Sequence, residues 1–333
     1  MNPFKDHGDL LPITSVNRLY IDDQKAYDLF HSALIYESLL SLIKRHMNNI
    51  DTPMTLSDLM QLIESSSNQG LKDETNAIIK TYGAKLAQII GTLFKPSEQS
   101  IINHHEWTDE HRAYWASIKT LYLAGGAIID PFIKPFTVEI DRELKRRKLS
   151  QKVYLLAQSE DLGIKGMASL YTNQGTLLLF DLGQTSIKRA IKVNNITCDY
   201  IKLSNIPAKH LFSNDGSEQG ILESAQLLHE YLLSSIIDVI KIHDITPDTL
   251  FISIANYVKK GCLQPGKNSY GKLDFIAHPY DLYLGNQLDK VLGYPIQVKL
   301  FHDTSAMALN FKNQEKTAII SVGTAFGVGF TED

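Results

Sequence analysis

In "LLLFDLGQTSIKRA" (177–190), an apolar run ends on Asp181, and Gly183 and Thr185 follow at once. A strand that closes on a carboxylate, a glycine and a hydroxyl delivers all three into a tight turn. Such a turn suits a nucleotide phosphate and its metal ion. A second apolar run ends in the same way in "AIISVGTAFGVGF", with Gly323, Thr324, Gly327 and Gly329. A third, "LYLAGGAII", offers Gly125 and Gly126. Glycine accepts positive φ and close backbone approach, so each turn can aim N–H groups at phosphate oxygens. Between the first two, "VKLFHDTSAMALN" carries His302 and Asp303 where a strand gives way to a helix. An aspartate at that junction can take a proton from a substrate hydroxyl.

Each piece has a plainer reading. A glycine turn after a strand can be only a turn, and Asp303 can be only the N-cap of its helix. Asp181 can end a strand without touching metal. Lys188 reads either as an exposed strand lysine or as a phosphate contact. The succession of these pieces along the chain is more specific than any one of them.

In that succession the chain resembles the sugar-kinase branch of the actin, hexokinase and heat-shock-protein ATPase superfamily, and most closely the ROK family. "FDLGQTSIKRA" is similar to the family's first phosphate motif, an Asp-x-Gly-x-Thr turn. "FHDTSAMAL" is similar to its Asn-Asp-Ala-Asn-Ala-Ala segment, with Asp303 on the base position and His302 in place of Asn. "SVGTAFGVGF" resembles the second phosphate motif, and "LYLAGGAIIDPFIKPFTVEIDREL" the adenosine-side Gly-Gly turn with its helix. "SEDLGIKGMASLY" resembles the family's last helix, which packs back on the first lobe. The family's Cys-rich zinc segment is absent, and its sugar-binding Glu-x-Gly-His has no clear counterpart.

The order of the motifs is rotated. The family runs phosphate one, catalytic Asp, phosphate two, adenosine turn, last helix; this chain begins with the last two. The same circle is cut elsewhere, with the old ends joined through the polar turn "YTNQG" (171–175). The resemblance therefore implies a circularly permuted, ribonuclease-H-like two-lobed α/β fold with an inter-lobe cleft. Residues 1–150 would be the mostly helical part of the second lobe with the adenosine-side turn. Residues 151–300 would be the first lobe, and 301–333 the catalytic-Asp helix and second phosphate turn of the second lobe.

The implied activity is ATP-dependent phosphorylation of a hydroxyl on a sugar or sugar-like molecule, with Asp303 as general base. Asp181 would hold Mg²⁺ directly or through water. Gly183, Thr185, Gly323 and Thr324 would cradle phosphates, Gly125 and Gly126 would lie against adenosine, and His302 and Asn256 are substrate-contact candidates. The alternative is a catalytically degenerate sugar- or nucleotide-binding protein on the same fold. No Gly-x-Ser-x-Gly elbow supports an unrelated hydrolase.

Helices and strands must position these groups. "AYDLFHSALIYESLLSLIKRHM" (26–47) has one apolar helical face, and Thr55 opens a helix with Asp58 at the capping-box position. A further amphipathic helix is expected over 76–94, where Gly83 allows close packing, and a surface loop over 95–111. "HHEWTDEH" within that loop lacks zinc-motif spacing and reads as solvated. From residue 176 onward strand-like runs alternate with helices at 224–244 and 279–293, which argues α/β layers.

Composition closes off other classes. The 333 residues are 44% hydrophobic with net charge −4, which argues against disorder and against a nucleic-acid partner. No run approaches the roughly 20 apolar residues of a membrane span, and the start shows no secretory pattern. Cys198 and Cys262 are too few for a disulfide framework. A cytoplasmic protein with a small-molecule sugar partner is expected, and a homodimer is compatible with this reading.

Overall fold

The computed structural model describes residues 2–47, 54–193 and 200–331. Two short hairpins come first, β1 (Lys5–Asp6) with β2 (Asp9–Leu10) and β3 (Tyr20–Ile21) with β4 (Gln24–Lys25). Helices α1 (Ala26–Leu29), α2 (Ser32–His46), α3 (Leu56–Ser65), α4 (Gln69–Phe94), α5 (Glu98–Asn103) and α6 (Asp109–Ser117) follow. Next come β5 (Thr120–Ala124), α7 (Asp130–Arg147), β6 (Lys152–Leu155) and α8 (Leu162–Ala168). Then β7 (Thr176–Leu182), β8 (Ser186–Val193), β9 (Ile201–Pro207), α9 (Glu218–Ile242) and β10 (Thr249–Ile254) are laid down. The chain continues through β11 (Val258–Lys259), β12 (Cys262–Leu263), α10 (Tyr280–Leu292), β13 (Gln297–His302) and α11 (Asp303–Ala308). It finishes with β14 (Thr317–Val322) and β15 (Phe326–Phe330).

Packing divides the chain into two compact units. Unit 1 holds residues up to Phe4, Ile13–Glu160 and everything from Asn313 onward; unit 2 holds Lys5–Pro12 and Asp161–Lys312.

In unit 2 the sheet order is β13-β10-β7-β8-β9. β7, β10 and β13 are parallel, whereas β8 and β9 run antiparallel to their neighbours. Counting this sheet's strands along the chain, the order is three-two-one-four-five, the ribonuclease-H-like arrangement. Central β7 is apolar almost throughout because both its faces are covered. Leu178 and Phe180 face the core that contains Leu232 of α9 and Leu284 of α10. Leu177 and Leu179 face the opposite core, with Ile164 and Met167 of α8 and Ala306 of α11. Gly166 permits that second layer, since a Cβ there would sit 1.9 Å from the Ala306 carbonyl oxygen.

Unit 1 carries the sheet order β15-β14-β5-β6. β14 and β15 form an antiparallel hairpin, and β14 pairs in parallel with β5, Thr317 opposite Thr120 and Ser321 opposite Ala124. Read cyclically from β14, this is two-one-four-five, the same arrangement without a third strand among the described residues. Strands from the first half of the chain and from its last residues thus make one sheet, as the permuted order requires. Helix α4 lies close to α7: a Cβ on Gly83 would meet the Phe136 ring at 3.0 Å.

Several expectations change. The helix read over 26–47 breaks at Phe30 and His31, both with extended backbone. Thr55 and Asp58 do form a reciprocal capping box. The stretch read as a loop, 95–111, contains α5 and buries His104 and Trp107. Trp107 is placed by the aromatic cluster of Phe4, Trp115 and Phe330, and its indole N–H donates to the Ile13 carbonyl at 2.8 Å. Gly327 and Gly329 lie inside β15, opposite Ser321 and Ile319, and not in the turn before it. The unit boundaries also differ from those read in the sequence. β6 stays with unit 1 because it pairs with β5, and β13 with α11 stays with unit 2 because β13 pairs with β10. Cys198 lies outside the described residues, and Cys262 is a free thiol.

Candidate active site

Unit 2 brings Asp181, Gly183, Thr185, Asn256, His302 and Asp303 to the carboxyl ends of its parallel strands. In open α/β sheets that is the edge where ligands bind. Asp181 is the last residue but one of β7, Asn256 follows β10, and His302 ends β13. β7 and β13 flank β10, so at the usual strand spacing they run roughly 10 Å apart.

Asp181 is 8% exposed and ties β7 to both neighbouring strands. It lies opposite Lys188 on β8 and opposite Ser253 on β10. Its Oδ2 accepts from the Lys188 ammonium at 2.9 Å, and its Oδ1 accepts from the buried Ser253 hydroxyl at 2.8 Å. The first turn of α8 closes over it, for a Cβ on Gly163 would stand 3.1 Å from Asp181 Cγ. The turn beyond is fixed by the Gly183 N–H, which donates to the Ser186 carbonyl at 3.1 Å. The Gly183 carbonyl accepts from the Tyr270 hydroxyl at 2.7 Å. Thr185 is exposed at the tip.

The Mg²⁺ expected on Asp181 does not fit this geometry. Both carboxylate oxygens are engaged, and the position that would neutralise the charge is filled by an ammonium group. Among the described residues, no group of three or more His, Cys, Asp or Glu side chains is gathered into an all-protein metal cage, which Mg²⁺ does not require.

Asp303 is the first residue of α11, and its side chain is 28% exposed. Its Oδ1 accepts from the Thr304 backbone N–H at 2.6 Å and lies 3.4 Å from His302 Nε2. Burial raises its pKa above the ordinary carboxylate range; the His302 ring and the Thr304 N–H pull it back, while the Asp181 charge adds to the rise. His302 is buried, stacked on Tyr257 at 4.7 Å between ring centroids, and its Nδ1 pairs with the Thr304 hydroxyl at 2.9 Å. Burial lowers its pKa, which favours the neutral ring. Such a carboxylate is fixed in direction and more basic than a free one, the properties a proton acceptor needs. The Asn256 amide is spent on the backbone of Gln264, accepting at 2.9 Å and donating at 3.2 Å.

Unit 1 brings Gly125, Gly126, Gly323 and Thr324 to the carboxyl ends of β5 and β14. Gly125 has φ +100°, and a Cβ there would lie 2.8 Å from both N and O of Val322, so only glycine suits the position. Its N–H donates to Ser159 Oγ at 2.9 Å. Gly126 and Gly323 have open space where a Cβ would point, and Thr324 is exposed.

Sequence reasoning gave Lys188 two readings, neither of them the ion pair with Asp181, and it overlooked Ser253. A hairpin closing on Gly183–Thr185 sets 181 opposite 188 by simple counting, so the first was within reach. Ser253 depends on the parallel register of β7 and β10, which has no local signature.

The two sheets define an α/β protein of the ribonuclease-H-like class with a circularly permuted strand order. No protein-family model matches the sequence, and no curated protein matches it. Solved structures similar to it include an Aquifex aeolicus Ppx/GppA phosphatase, type II variant (13% identity, TM-score 0.27, covering 68% of this chain and 62% of that one). A second Aquifex aeolicus Ppx/GppA structure has 11% identity and TM-score 0.33, covering 76% of this chain and 86% of the other. An inorganic polyphosphate/ATP-glucomannokinase from Arthrobacter has 16% identity and TM-score 0.23, covering 53% and 68%. The chain thus spans less than two thirds of the first structure's length. At such identities and TM-scores a shared substrate does not follow. Among the described residues, no helix is long and apolar enough to cross a membrane.

Proposed function

We propose that the protein transfers the terminal phosphoryl group of ATP to a hydroxyl of a sugar or sugar-like small molecule. The observation that carries this reading is the placement of Asp303. It is a carboxylate of raised pKa at the carboxyl edge of a ribonuclease-H-like sheet, aimed by His302 and the Thr304 N–H. In this proposal Asp303 accepts the proton of the attacking hydroxyl. Gly183, Thr185, Gly323 and Thr324 are assigned to phosphate, and Gly125 and Gly126 to adenosine. Phosphoryl transfer needs mainly positioning and charge neutralisation, so few side chains are required. His302 is assigned to orienting Asp303, and Asn256 to holding its loop.

The test is ADP release from MgATP across a panel of sugars and polyols, with inorganic polyphosphate as an alternative donor. Acceptor-dependent release with at least one sugar supports the reading. Nucleotide binding without acceptor-dependent turnover for any of them would favour a ligand-binding protein without catalysis.

A further inference from the structure

We propose that the cation belonging to Asp181 is the Lys188 ammonium and not a divalent metal ion. The inference rests on the reading of 181–185 as a phosphate turn, and it changes what neutralises that turn. Three features support it independently. The pairing of β7 with β8 places Lys188 directly opposite Asp181, so the contact is set by backbone register and not by a chance rotamer. The second carboxylate oxygen is held by Ser253, which is fully buried on the other neighbouring strand. The Gly163 backbone of α8 lies against the carboxylate from above. Mg²⁺ keeps several of its waters when it binds carboxylates, and so needs room beside them. Here a divalent ion would either displace Lys188 and break a largely buried pair, or lie beside it and be repelled. Lys188 is thereby a built-in positive charge at the base of the turn, present before any ligand arrives. Asp181 is its positioning residue.

The test is Mn²⁺ binding to the full, nucleotide-free protein, read by electron paramagnetic resonance of the free ion. Wild type and Asp181→Asn should bind Mn²⁺ equally, because Asp181 offers it nothing. Lys188→Met should gain a site, with affinity raised roughly tenfold or more, as expected for removing a like charge a few ångströms away at an effective dielectric of about 20. Adding Asp181→Asn to Lys188→Met should abolish that gain. The inference is overturned if Asp181→Asn alone weakens Mn²⁺ binding, or if a folded Lys188→Met protein gains none. The comparison of wild type with Asp181→Asn decides the matter even where Lys188→Met fails to fold. Neither nucleotide nor acceptor is present, so failure here is separate from failure of the phosphoryl-transfer reading, which ADP release decides.

Discussion

Asp303 and His302 are coupled more closely than their adjacency in sequence suggests. The imidazole is stacked on Tyr257, tied to Thr304 and set 3.4 Å from the carboxylate, so its position is determined from three sides. A general base acts only when ionised. Because burial raises the Asp303 pKa, kcat/KM should fall on the acid side at a higher pH than a free carboxylate near 4 would give. The sign of the His302 effect follows from its direction. The protonated ring lowers the Asp303 pKa, so over the pH range in which His302 carries a proton, His302→Leu should shift the acid limb upward while the Thr304 N–H contact persists. A pH–rate profile of the two proteins checks this, and an unmoved limb would show that His302 does not tune the base.

At the scale of elements, the two glycine sites of unit 1 differ in what they tolerate. Gly125→Ala forces a Cβ into the Val322 backbone at a positive φ, and should cost about 1–3 kcal/mol in urea unfolding. Gly323→Val projects into open space and should unfold like wild type, yet it should lose the thermal stabilisation by MgATP. A Gly323→Val protein that keeps the full stabilisation would exclude this turn from nucleotide binding. Elements with local signals were legible in the sequence: the capping box at Thr55, the buried run of β7, and the strands around Thr249 and Thr317. Others had none. β15 was hidden because "FGVGF" reads as a glycine turn until β14 pairs with it. α5 and the Trp107 cluster were hidden because 95–111 is polar in composition, and its few aromatic residues are buried only by distant partners.

For the whole molecule, motif order carried the most information. It implied that the first and last parts of the chain share a sheet, and the parallel pairing of β5 with β14 is that sheet. Exact boundaries were not legible, since membership of β6 and β13 is decided by pairing across more than 30 residues and not by local pattern. The consequence is chemical: Asp303 shares its unit with Asp181 and Lys188, close enough for the Asp181 charge to raise its pKa. In the proposed reaction this carboxylate is the base of the phosphoryl transfer. That role is tested most directly by acceptor-stimulated ADP release, measured beside thermal unfolding, for wild type and Asp303→Asn. The amide oxygen can still accept the Thr304 N–H, so the melting temperature and MgATP stabilisation should hold. Turnover should drop by about 10²–10⁴-fold, the usual worth of a general base. A folded Asp303→Asn protein that turns over like wild type would show that Asp303 is not the base.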